Sequence, residues 1–247
     1  MKLITLNTLA GKLRDPLSQF LLKNKDIDIF CFQEIFHNLD ETTRTTDFIF
    51  EEGGNEKLFD EIQSILTNHI GYFCPIHGEF YGLATFVKKD IEVLETGEVC
   101  LHENKAYTAE DESDHGRKLQ WLKIKDKREV LIMNMHGHWT GTGKGDTLIR
   151  IKQSERIVAF LKKNRAIPKI LSGDFNLRPD TESVHMIENE MVNLIAKHHI
   201  TSTRTSHYKK SERFADYIFL SDNVKEINFK VLPDEVSDHS PLFVEFE

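Results

Sequence analysis

The residues able to do chemistry fall in five short segments: 4–7 (ITLN), 30–34 (FCFQE), 134–136 (NMH), 172–176 (SGDFN) and 237–241 (SDHSP), with 214–219 (FADYIF) between the last two. In each, an apolar run meets Asn, Glu, His or Asp. Singly, every one of these polar residues reads as a turn or cap. Jointly they mark the carboxyl ends of buried strands, where α/β folds gather their reactive groups. Glu34 follows FCFQ, a run too apolar for a solvent-facing strand, and such a carboxylate must be paired, protonated or bound to metal. Asp174 and Asn176 are two apart, so an extended backbone turns both to one side. Carboxylate and carboxamide oxygens are hard ligands that suit Mg²⁺ or Mn²⁺ better than zinc. The chemistry expected is metal-assisted hydrolysis.

The remaining polar groups fit the same scheme. Asp238-His239 is either a strand-entry cap or a polar pair in which Asp174 holds the imidazole in one tautomer against a phosphoryl oxygen. His136 closes a buried strand and is as readily structural as catalytic; His138 is not counted as catalytic. Asp216 lies within the apolar ADYIF and needs a partner, either His136 or a metal-bound water. The stretch 140–146 (TGTGKGD) lacks the spacing of a phosphate loop, because Gly145 follows Lys144 where Ser or Thr is required. With Lys144 and Arg150 it still lines a substrate entrance beside His136. No GxSxG elbow or cysteine triad is present, which excludes covalent nucleophilic catalysis of those kinds.

The elements that must position these groups alternate along the chain. Strands are expected at 2–7, 27–34, 82–88, 91–100, 117–124, 129–136, 168–173, 215–220, 226–232 and 241–246. Helices are expected at 15–24, with Asp15 as cap and Pro16 at the first helical position, at 56–68, at 147–164 on Leu148, Ile151, Ile157, Val158 and Leu161, and at 181–196, as one helix or two. Consecutive strands between helices suggest two sheets packed face to face under helices. With no linker or repeat, residues 1–247 read as one domain. Three cysteines without CxxC spacing argue against a disulfide framework and a zinc cluster. No apolar run approaches the ~20 residues a membrane helix needs, and the amino terminus reads as a first strand rather than a signal peptide. The cytoplasm is the expected location. A net charge of −8 argues against a long nucleic-acid footprint. The charge is uneven, with acidic stretches at 40–61 and 103–114. The basic run 204–213 (RTSHYKKSER) is either a solvated loop or a basic rim ahead of FADYIF.

As an ordered set over nearly the whole chain, these segments resemble the endonuclease/exonuclease/phosphatase superfamily. That resemblance implies a four-layer α/β sandwich with two central mixed β-sheets flanked by helices, as in deoxyribonuclease I-like proteins, with Mg²⁺ or Mn²⁺ at one edge. It implies Asn7, Glu34 and Asp238 for the metal site. Asp174 would orient or deprotonate water, Asn176 contact phosphate, His239 offset charge on the phosphoryl oxygens, and Asp216 and His136 complete the catalytic set. Where His136 stands, apurinic endonucleases carry Tyr, which argues against that branch. Arg117, Lys144 and Arg178 are the substrate-binding candidates. The implied activity is phosphoester hydrolysis, first a phosphodiesterase or nuclease acting on DNA or RNA with a short footprint; DFNLR resembles the tyrosyl-DNA phosphodiesterase branch. The alternatives are a small-molecule phosphatase and an inactive binding protein on the same fold. No membrane substrate or obligate protein partner is expected.

Overall fold

The central strands are apolar on both faces, and each face meets a different partner. The computed structural model describes residues 1–39, 53–103, 116–141 and 143–247, so most of the acidic stretches 40–61 and 103–114 lies outside the described residues. In chain order the elements are β1 (Lys2–Asn7), α1 (Arg14–Lys23), β2 (Ile29–Phe36), α2 (Leu58–Ile65), β3 (His69–His77), β4 (Tyr81–Lys88), β5 (Glu92–His102), β6 (Arg117–Lys125), β7 (Glu129–His136), α3 (Leu148–Lys163), β8 (Lys169–Asp174), α4 (Glu182–Glu188), β9 (Val192–Asn193), α5 (Leu194–Lys197), β10 (Asp216–Leu220), β11 (Glu226–Val231) and β12 (Leu242–Phe246). They form two six-stranded sheets, ordered β11-β12-β1-β2-β4-β3 and β5-β6-β7-β8-β10-β9. Strand alternation then sorts the side chains. Leu3, Ile29, Cys31 and Val87 face the second sheet and pack with Leu122, Ile132, Ile170 and Ile218. Ile4, Leu6, Phe30 and Phe32 face outward under Leu17, Phe20 and Leu21 of α1 and Leu58 and Ile62 of α2. Ile157, Leu161, Val184 and Ile187 of α3 and α4 cover the second sheet. The result is the four-layer α/β sandwich. Among the described residues no helix is long and apolar enough to cross a membrane.

Each sheet carries one parallel pair at its centre, β1–β2 and β7–β8, flanked by antiparallel neighbours. Parallel strands end on the same side, which is what brings the polar termini together. Asn7 registers with Gln33, His136 with Asp174, and Asp216 on antiparallel β10 with Asp174. The β7–β8 approach is close: a Cβ on Gly173 (φ +139) would meet the Met135 carbonyl oxygen at 2.1 Å, so only glycine fits there.

Three expectations are corrected. Helix α1 begins at Arg14, with Leu13 at the cap position and Asp15 in the first turn. There Asp15 complements the helix dipole, and Pro16 replaces an N–H that has no intrahelical acceptor. Leu148, expected on the buried face of α3, is 81% exposed, while Arg150, Gln153 and Ser154 are buried beside Ile157 and Leu161. Strand β3 was not expected; it is the edge strand of its sheet, where Gly71 and Pro75 are tolerated.

A polar seam crosses the core between the sheets. Gln33 Nε2 donates to Asn134 Oδ1 at 2.7 Å, and Asn134 Nδ2 donates to the Phe32 carbonyl at 3.0 Å. Thr85 Oγ1 donates to Gln120 Oε1 at 2.8 Å beside them. Replacing Asn134 with Leu takes from the buried Gln33 amide its shortest acceptor, so we expect a loss of about 2 kcal/mol. Urea denaturation reads this directly, and an unshifted midpoint would show that the seam adds nothing to stability.

Candidate active site

Glu34 breaks the alternation of β2. The β2–β4 register shifts between Phe32 and Ile35, and Glu34 has φ 60 within this bulge. Bulges re-aim side chains, and a non-glycine residue held at positive φ is strained backbone of the kind found at functional sites. The Glu34 side chain is 19% exposed, while the strand on either side is buried. Asn7 Nδ2 ties it inward, donating to Glu34 Oε1 at 2.9 Å and to Asp174 Oδ2 at 3.0 Å. The Asn7 oxygen accepts the Leu9 N–H at 3.0 Å. In this orientation the carboxamide bridges two carboxylates from two different sheets.

Asp174 is the point on which the other groups converge. His136 Nε2 lies 3.6 Å from its Oδ2 and 3.9 Å from Glu34 Oε1. His239 Nε2 lies 3.6 Å from the same Oδ2. Asp174 Oδ1 accepts the Asn176 N–H at 2.8 Å. Burial works to raise the Asp174 pKa, but His239, Lys144, His136 and Arg204 override it and hold the carboxyl well below the usual carboxylate range. His136 goes the other way: burial pushes it down to about 3, so the ring is neutral, and its approaches to the carboxylates are not ion pairs.

The partner of Asp216 is His239, not His136. Asp216 Oδ1 and Oδ2 lie 2.8 and 2.9 Å from His239 Nδ1, and Thr203 Oγ1 donates to Asp216 Oδ2 at 2.9 Å. The tautomer of His239 is therefore set by Asp216, where Asp174 was expected to set it, and Nε2 is left facing Asp174. Burial opposes a second proton on His239, yet Asp216 and Asp174 together outweigh it and raise the ring's pKa. Asp238, next in sequence, accepts from Arg204 Nη1 at 3.2 Å, and its Oδ1 lies 3.7 Å from His239 Nε2.

Asn176 reaches the site by a different route from the one expected. Strand β8 stops at Asp174, and Asn176 adopts φ 56, a left-handed turn that Asn tolerates. Its Nδ2 donates to the Gly137 carbonyl at 3.1 Å, and its Oδ1 accepts from Lys144 Nζ. Of the other cations, Arg117 is buried and donates Nε to the Gly137 carbonyl at 2.8 Å. Arg178 is exposed and pairs with Asp180 at 2.9 Å. Thus the structure groups Asn7, Glu34, His136, Asp174, Asn176, Asp216, His239 and Lys144 around one centre, with Asp238 beside His239. Arg117 stands behind that centre, and the Arg178 side chain turns to Asp180.

Two groups at the site had escaped sequence reasoning. Thr203 has no local signature. Arg204 was visible only as part of the basic run 204–213; its guanidinium lies 4.0 Å from the centroid of the Tyr208 ring. Lys210 Nζ similarly covers Trp139 at 5.6 Å. Two residues of the basic run, Arg204 and Lys210, thus lie against Tyr208 and Trp139, and Arg204 also reaches Asp238.

The donor set fits a hard divalent cation. Asp174, Asp216 and His239 offer ligand atoms within 4.8 Å of one another, but Asp216 is engaged by the His239 ring. The Glu34 carboxylate, the more exposed of the two, is the better oxygen ligand, with Asp174 held on the same Asn7 amide. Two like charges so close at a site of low exposure are what a cation relieves.

Comparison with known proteins gives a consistent picture. A model of the endonuclease/exonuclease/phosphatase family matches residues 4–239. No curated protein matches the chain. Among solved structures it is similar to a mannosyl-6-phosphatase of Bacteroides thetaiotaomicron (18% identity, TM-score 0.75, 100% of this chain and 99% of that one). It is also similar to the human nocturnin catalytic domain with bound sulfate (19%, 0.69, 100% and 94%). A third likeness is to truncated TDP2 of Caenorhabditis elegans (17%, 0.67, 99% and 96%). At these identities the likeness is one of fold.

Proposed function

The chain belongs to the endonuclease/exonuclease/phosphatase family, whose members are phosphoester hydrolases, and we propose that it is a Mg²⁺- or Mn²⁺-dependent phosphodiesterase acting on nucleic acid, or nucleic-acid ends, over a short footprint. The observation that carries this is the convergence on Asp174: a buried, ionised carboxylate with two imidazoles, the Asn7 carboxamide, the Asn176 backbone N–H and a lysine around it. Glu34 would hold the metal, with Asn7 orienting its carboxylate and Asp238 close by. When bound, the metal supplies Lewis-acid neutralisation of phosphoryl charge.

The chain's own groups divide the remaining work. Asp174 aligns the attacking water and accepts its proton. His239, fixed through Nδ1 by Asp216, directs Nε2 at the phosphoryl oxygens; His136 and Asn176 approach from the β7 side. Preorganised donors of this kind are the main source of rate in acyl and phosphoryl transfer. The rim of Trp139, Lys210, Arg204 and Tyr208 supports a nucleotide-sized contact, since aromatic rings accept stacked bases without reading their sequence. The second reading, a small-molecule phosphatase, is favoured by the fold likeness to a mannosyl-6-phosphatase.

The test is turnover of a panel: abasic-site duplex, single-stranded DNA, RNA, 5′-tyrosyl oligonucleotide, bis-p-nitrophenyl phosphate and p-nitrophenyl phosphate. We expect activity that chelator abolishes and Mg²⁺ or Mn²⁺ restores. Glu34→Gln is expected to raise the metal concentration for half-maximal rate about tenfold or more. Turnover confined to p-nitrophenyl phosphate would favour the second reading. Silence across the panel, or a metal response untouched by Glu34→Gln, would count against the assignment.

A further inference from the structure

Lys144 lies as deep as the two imidazoles, each of the three being 5% exposed. Its ammonium has three N–H donors, and among the described residues its one hydrogen bond goes to Asn176 Oδ1. No carboxylate among them comes within ion-pair distance. A buried cation without a direct ion pair is costly: burial lowers its pKa, and Asp174 opposes this only through space. The fold nevertheless holds it in place from both sides. Arg150, 1% exposed at the start of α3, donates Nε to the His138 carbonyl at 3.0 Å. Its Nη1 donates to the Gly143 and Gly145 carbonyls at 3.0 and 2.5 Å, the residues on either side of Lys144. The Arg178 N–H donates to the Lys144 carbonyl at 2.9 Å. Asp146 accepts the Glu182 and Ser183 N–H groups at 2.8 and 3.1 Å, anchoring the segment to α4. Structure is thus committed to keeping a positive charge with unused N–H donors beside Asp174 and Asn176, offset by Asp174 only through space.

We propose that Lys144 is a specificity-determining residue that receives a non-bridging phosphoryl oxygen on its remaining N–H donors, and that Arg150 is the residue that positions it. This rests on the phosphoester reading above and deepens it: the acceptor missing from the remaining Lys144 N–H donors is the substrate's phosphate. The charge of the substrate then dictates which kinetic parameter responds. A phosphodiester carries one negative charge and gains a second as water adds, so a cation meeting that growth acts on kcat. A phosphomonoester dianion brings both charges at binding and passes through a loose transition state, so the same cation acts on KM.

Lys144→Met is therefore expected to lower kcat on bis-p-nitrophenyl phosphate by about 100-fold, and on p-nitrophenyl phosphate to act mainly by raising KM. Arg150→Lys should move the same parameters by less, and the double variant should be no worse than Lys144→Met alone, because a positioning residue then has nothing to position. Inorganic phosphate, titrated calorimetrically in Mg²⁺ buffer, should bind Lys144→Met about tenfold or more weakly, with Lys144→Arg recovering most of the loss. Removing a desolvated charge that makes no direct ion pair should change Tm little, whereas a structural lysine would lower it. Wild-type phosphate affinity in Lys144→Met, or a lowered Tm with unaltered kinetics, overturns the role of Lys144. Additive losses in the double variant overturn that of Arg150. If no ester is turned over, the hydrolase reading fails, while the phosphate titration still decides whether Lys144 is an anion site.

Discussion

Asp174→Asn is expected to reduce kcat by about 10³-fold or more, at the upper end of what a positioned general base contributes, with the fold retained. The substitution keeps the shape of a side chain that is almost wholly buried and removes only its charge. That charge is what the surroundings are built to hold: His239, Lys144, His136 and Arg204 together override its burial. An amide at this position cannot take a proton from water. It also turns one of its polar ends into a donor facing Asn7 Nδ2, His136 and His239, where the carboxylate was purely an acceptor. The same reasoning fixes the sign of the stability effect. A carboxyl with a depressed folded pKa contributes stability above the unfolded value of about 3.9, and loses it as pH falls towards the folded one. Asp174→Asn should therefore lower Tm at neutral pH, with the gap to wild type closing in acid. Wild-type kcat in a variant whose circular dichroism is unchanged would remove Asp174 from the reaction.

How much of this could be read from the chain depended on where a residue's neighbours come from. The runs before Asn7, Glu34, His136 and Asp174 were legible because central strands of a four-layer sandwich are buried on both faces, which leaves long apolar segments with polar ends. Strand β3 was not, since an edge strand needs no such run and His69-Ile-Gly-Tyr-Phe-Cys-Pro-Ile-His77 interrupts its own pattern with Gly71 and Pro75. The bulge at Glu34 left no mark in FCFQEIF: a run of apolar residues does not say where the register slips. Long-range pairing was equally silent. Asp216 and His239 are 23 residues apart and meet because β10 and the turn before β12 converge; nothing local distinguished that pairing from His239 with Asp174. Helical spacing also misled at α3. Leu148 fits the apolar stripe, yet Arg150 takes the interior because its guanidinium is needed by three loop carbonyls. Periodicity reports which face is apolar, and it fails where a polar residue is buried for what it holds.

The Asp216–His239 pair yields the second large effect. His239→Gln is expected to reduce kcat by about 10³-fold, since it removes the one ring that approaches Asp174 from the β10 side with a nitrogen free to face the substrate. Asp216→Asn should reduce kcat by less. Asp216 touches no substrate in this arrangement; it accepts from Nδ1 with both oxygens near 2.8–2.9 Å and so fixes the tautomer and tilt of the ring. An Asn there can offer its own N–H to Nδ1, which moves the ring proton to Nε2 in a fraction of molecules and removes the charge that raises the ring's pKa. Thr203, whose hydroxyl donates to Asp216 Oδ2 while accepting the Ala215 and Asp216 N–H groups, keeps residue 216 in place in either variant. The informative measurement is the double variant, His239→Gln with Asp216→Asn. If the carboxylate works through the ring, removing it after the ring has gone changes nothing further, and the double variant should match His239→Gln in kcat with KM little altered. Losses that multiply would mean that Asp216 acts on the reacting atoms by a route of its own, and the positioning role assigned to it here would have to be given up.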